Sequence, residues 1–206
     1  MGSLAFMKCW EAFLFVALAF DSYGRCSELL GLQVQDLLMP SESGGMHEWA
    51  ILLAPSERGQ ITKVGTSDNT IRLRSVDFDL KPWLARCKRK NASDRVFSIS
   101  GGKLRAQFAD AARRAGFGAF NLSPHQLRHG GASRDALLAR LSVDRIQQRG
   151  RWKVRSSFLR YEKHGRLQKA LNDSSLKAKM WWRICTPAYL SMVGAGEVLP
   201  CAPPFA

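Results

Sequence analysis

The chain has 206 residues, 46% hydrophobic and 23% charged, which is the balance of an ordinary globular protein large enough to bury one core. Its 31 Lys and Arg against 17 Asp and Glu give a formal charge of +14, for which a polyanion is the natural partner. Five cysteines (Cys9, Cys26, Cys87, Cys185, Cys201) without a C-x-x-C pair suggest neither a disulfide framework nor a zinc site, so a reduced intracellular setting is expected.

The charge is lopsided: residues 1–60 hold 3 basic and 7 acidic side chains, whereas residues 61–206 hold 28 and 10. Residues 3–20 predict a strongly apolar helix. Its run AFLFVALAF, 12–20, is too short to span a bilayer and lacks a following small-residue cleavage site, so a buried helix is expected and no membrane association. RCSELLGLQVQDLL, 25–38, predicts a second helix with Leu29, Leu30 and Leu32 inward. Beyond the turn at Gly44-Gly45, HEWAILLAP (47–55) and the β-like runs GQIT (59–62) and NTIRLRS (69–75), around the turn-rich KVGTSDN, predict a small antiparallel sheet with a hairpin loop at its edge.

The remainder predicts helices. LKPWLARCKRK (80–90) is basic and amphipathic; in residues 102–116 Leu104, Phe108, Ala111, Ala112 and Ala115 share a face, and Gly116 suits the stop. Ser123, Pro124 and Gln126 have the spacing of an N-cap, a first-turn proline and a capping box. A further helix opens at Ser142, with Gly150 where a left-handed cap would go. Helices over 154–164 and 166–179 follow, and residues 181–206 read as a tail or arm.

His125 and Arg128, at i and i+3, share a face in the first helical turn, where backbone N–H groups and the helix dipole favour an anion. Gly130 and Gly131 in the same helix are awkward, since each costs about 1 kcal/mol relative to alanine; close approach of another helix or of a DNA backbone is one explanation, a local irregularity another. Upstream, Arg25 heads a Leu-rich helix with Glu28 one turn later, and downstream Trp152 precedes Tyr161 by nine residues.

Together, RCSELLGL at 25–32, Lys63 in the predicted hairpin, HQLRH at 125–129 and the Trp152–Tyr161 spacing resemble the tyrosine recombinase (integrase) family, over roughly residues 10–170. The resemblance implies an α+β, mainly α catalytic domain with a small antiparallel sheet, here residues 1–180. It also implies DNA cleavage and rejoining through a 3′-phosphotyrosyl intermediate, in integration or recombination of a mobile element. Tyr161 would be the nucleophile, His125 the acceptor of its proton, Arg25 and Arg128 the clamp on the non-bridging oxygens, and Trp152 a further donor to the phosphate in place of the more usual histidine. Lys63 would protonate the leaving oxygen, and Glu28 and His129 would support the site.

Double-stranded DNA is the implied partner, with self-association as a dimer or tetramer through the C-terminal segment and a nuclear or nucleoid location. No cofactor or metal is implied. The sequence departs from the family's pattern in RGRW at 149–152, in HGGAS at 129–133, and in reaching Arg25 after a single helix, without the N-terminal core-binding domain usual in the family. Those departures keep two alternatives open: a catalytically decayed, domesticated DNA-binding protein, and a type IB topoisomerase-like activity.

Overall fold

The apolar helix is the first element among the described residues and is buried along most of its length. α1, Trp10–Ser22, is hydrophobic all round, and such a helix must be covered on every side; from Ala12 to Ala19 no residue is more than 5% exposed. In this computed structural model, which describes residues 9–41, 45–61, 65, 67–75, 79–154, 172 and 176, α1 packs along α5 (Gln126–Leu137) and also meets α2 (Cys26–Leu30) and α4 (Gly101–Arg114). It stops where Tyr23 turns left-handed, at φ 53°.

The stretch expected as one helix over 25–38 is three elements. α2 ends at Leu30, a 3₁₀ turn covers Val34–Asp36, and strand β1 is Leu37–Leu38. Tertiary hydrogen bonds override the helical periodicity. Val96 N–H donates to the Leu32 carbonyl (2.9 Å), while the N–H groups of Val34 and Gln35 donate to the carbonyls of Asp94 and Ala92 (2.9 Å each). Leu29 and Leu32 are buried as expected; Leu30 is only partly so.

β1, β2 (Ala50–Leu53) and β3 (Asn69–Arg72) form an antiparallel sheet in that order. Ile51 faces Leu37 on one side and Ile71 on the other, and all three are buried. Along β3 the alternation is clean, with Ile71 and Leu73 inward and Thr70 and Arg72 outward.

GQIT was expected to supply a strand, yet Gln60 and Ile61 belong to none, and Ile61 is 71% exposed. The chain turns too early for it. A 3₁₀ turn at Ser56–Arg58 closes on left-handed Gly59, and Asp68 ties the two ends, accepting from Ser56 N–H (2.7 Å) and donating its own N–H to the Ala54 carbonyl (2.9 Å). Asn69 therefore pairs directly with Leu53.

α3, Lys81–Cys87, lays Trp83 against Trp10, with centroids 5.6 Å apart. α4 is capped by Ser100, whose Oγ accepts from Lys103 N–H (3.2 Å), and buries Leu104 and Ala111. α5 begins at Gln126 with His125 at its cap position and no side-chain cap, so Ser123 is not the N-cap expected, although the Gln126 side chain accepts from Ser123 N–H (2.8 Å). α6 is Val143–Gly150, with Ser142 Oγ as its cap. Lys63, Tyr161, the helix expected over 155–164, most of that over 166–179 and the tail 181–206 lie outside the described residues; Asn172 and Leu176 are described and helical.

Candidate active site

Arg25 occupies the position just before α2, with extended backbone (φ −74°, ψ 147°). Glu28 reaches back to it twice: Oε2 accepts from the Arg25 backbone N–H at 3.0 Å and Oε1 from the Arg25 Nη1 at 2.6 Å. The same carboxylate accepts from Nη2 of Arg151 at 2.6 Å. Glu28 is thus no solvated helix acid but a half-buried bridge between two guanidinium groups. Arg151 was not among the expected site residues.

Its place follows from the end of α6. The left-handed cap falls on Arg151 (φ 54°), not on Gly150 as expected. Gly150 is instead the last helical residue, and it is glycine for lack of space: a Cβ there would lie 1.9 Å from the indole of Trp152. Left-handed Arg151 lets the Trp152 indole fold back over the helix end while its own side chain reaches Glu28.

Arg128 projects from α5 into this junction and is 3% exposed. Its Nη1 donates to the Tyr23 carbonyl, two residues before Arg25, and its Nη2 to the Gly150 carbonyl, one before Arg151. The guanidinium carbon lies 4.8 Å over the Trp152 ring, a cation–π arrangement, and that ring stands 6.3 Å from the Tyr23 ring. Arg25, Arg128 and Trp152 are therefore gathered where the end of α1, the start of α2, α5 and the end of α6 meet.

His125, three residues before Arg128, is exposed at the head of α5. His129 lies behind it, half-buried, with its ring edge-on to His125 at 5.0 Å. Burial first, then the charges of His125 and Arg128, depress its pKa from 6.5 to about 4, so it is neutral at physiological pH.

The glycines of α5 are explained by helix approach. A Cβ on Gly131 would lie 2.1 Å from the Phe20 carbonyl oxygen, and one on Gly130 would lie 3.3 Å from the Phe20 ring. α1 lies directly against α5 here, which brings the Tyr23 carbonyl within reach of Arg128.

A second polar layer went unforeseen. Asp135, 3% exposed, accepts from the Tyr23 hydroxyl and from Nη2 of Arg74. Arg149 donates to the Asp21 carbonyl (2.7 Å from Nη2) and lies 5.4 Å over the Tyr23 ring. Burial pushes the Asp21 carboxyl up, against Arg149 and Arg74. Burial and the Asp135 carboxylate push the Tyr23 phenol up as well, and Tyr23 is fully buried. A sequence signal existed for Asp135: positions 128, 131, 132 and 135 follow the i, i+3, i+4, i+7 stripe, and all four are buried.

No protein-family profile matches the chain, and no curated protein matches it in sequence. Among solved structures it is similar to the XerH site-specific recombinase bound to its difH substrate in a pre-cleavage complex. The TM-score is 0.52 with 19% identity, over 79% of this chain and 45% of that one. The chain thus spans less than half the length of that neighbour and shares a mainly helical fold with a small antiparallel sheet.

Proposed function

We propose that the chain cleaves and rejoins strands of duplex DNA through a covalent bond between Tyr161 and the 3′ phosphate. The observation that carries this reading is the gathering of Arg25 with Arg128 and Trp152, more than a hundred positions further along the chain, at one helix junction headed by an exposed His125. The fold likeness to a recombinase held on its DNA substrate supports it.

In this reading the Tyr161 oxygen attacks phosphorus and the P–O bond to the 5′ oxygen breaks. Bond energy is kept in the phosphotyrosyl link for rejoining. A phenol of pKa about 10 needs a base; His125 takes its proton, and Lys63 returns one to the leaving oxygen. Arg25 and Arg128 carry fixed charge for the non-bridging oxygens, where most of the rate gain in phosphoryl transfer arises. The Trp152 indole N–H adds a donor to the phosphate, and the C-terminal segment joins copies on DNA.

Arg128 also motivates a second reading, that of a DNA-binding protein without turnover, because its guanidinium is buried and tied to two backbone carbonyls. A nicked duplex that loses its leaving fragment separates the two. Strand cleavage predicts a trapped covalent adduct that Tyr161→Phe abolishes. An adduct surviving that substitution removes Tyr161 from its role, and tight binding with no adduct favours the second reading.

A further inference from the structure

Between β3 and α6 lies a cleft of about 330 Å³ lined by five arginines: Arg72 and Arg74 from β3 and the residues after it, Arg145 and Arg149 from α6, and Arg151 at its cap. No carboxylate is among the described residues that line it. Three of the five are already paired from behind: Arg74 with Asp135, Arg149 with Asp21 and Arg151 with Glu28. Those pairs hold the guanidinium groups in place and offset part of their charge. Arg72 and Arg145 are exposed and have no ion pair or side-chain hydrogen bond among the described residues. The cleft therefore presents two uncompensated cations over a floor of oriented ones, an arrangement suited to phosphate oxygens, which arginine forks bind in pairs.

Arg151 belongs to both places. It lines the cleft, and through Glu28 it is joined to Arg25. We propose that the β3–α6 cleft takes a second backbone phosphate of the strand whose reacting phosphate lies at Arg25 and Arg128. The position of that first phosphate rests on the strand-cleavage reading; the anion chemistry of the cleft does not. The occupant is a duplex phosphodiester: the arginines without partners stand at the exposed rim, where a polymer backbone passes, and the paired ones lie below.

The test uses the full chain carrying Tyr161→Phe, so that binding is measured without cleavage, and a fluorescent 30-base-pair duplex titrated over a range of salt. Arg72→Ala with Arg145→Ala removes the two exposed cations that hold this phosphate and makes the slope of log K against log salt shallower by about 1. Gln148→Glu, which puts a carboxylate into the same lining without removing packing, weakens binding at every salt concentration. A control pair outside the cleft, Arg89→Ala with Lys90→Ala, changes the slope less.

An unchanged slope in the first pair, an equal change in the control pair, or an indifferent Gln148→Glu overturns the proposal. So does ATP displacing the duplex at far lower ionic strength than sulfate, since that would mark a pocket for small phosphate compounds. Wild-type protein assayed for the covalent adduct keeps the two readings apart. No adduct with the slope change present defeats strand cleavage and leaves the cleft as a DNA site; an adduct without the slope change defeats the cleft alone.

Discussion

His129 has its pKa at about 4 from an ordinary 6.5, because its half-buried ring next to His125 and Arg128 resists a charge. The unfolded chain takes up a proton there below pH 6.5, whereas the folded one does so only near 4. Its contribution to stability is therefore complete above 6.5 and is lost as pH falls towards 4. Urea midpoints measured from pH 7 to 4.5 should decline, and His129→Gln should decline less steeply; equal slopes would remove His129 from the account. At this scale the sequence was informative where a residue's chemistry is local. Arg25, Glu28, His125 and Arg128 sit on short-range patterns, and all four were singled out. Arg151 and Asp135 were missed because their partners, Glu28 and Tyr23, are more than a hundred positions away, and no local spacing encodes such a pair.

The two neighbouring glycines of α5 have different consequences for the helix. At Gly131 a methyl group meets a backbone carbonyl of α1 that cannot step aside, so Gly131→Ala should cost about 3 kcal/mol in urea unfolding through overpacking. At Gly130 the nearest atoms belong to the Phe20 ring, which can rotate, and the gain in helix propensity offsets the crowding. Gly130→Ala should shift stability by about 1 kcal/mol or less. Similar losses at both positions would contradict the close α1–α5 approach. Element types were readable where the apolar run was long, as in α1, or where helical period was kept, as in α4. Reading failed at 31–38 and 59–61, where backbone bonding to residues 92–96 and an early turn at Ser56–Arg58 outweighed side-chain pattern.

Across the whole molecule the charge of +14 sets the response to ionic conditions. Like charges crowd on folding, and a ligand that binds only the folded chain raises its melting temperature by mass action. Adding a short duplex should therefore raise the melting temperature in low salt, with the increment shrinking as salt is raised; a salt-independent increment would exclude phosphate neutralisation as the source of affinity. The overall class, mainly helical with a small antiparallel sheet, was legible from the alternation of helical and strand-like segments. The layering of α1 against α5 was not, because a helix that is apolar all round gives no preferred face.

Arg128 fastens the carbonyls of Tyr23 and Gly150 and so joins three stretches of chain. A lineage that had abandoned turnover would still keep this arginine, because discarding it would loosen the fold before any chemistry came into question. The imidazole of His125 stands at the surface, so its replacement would leave that fastening whole.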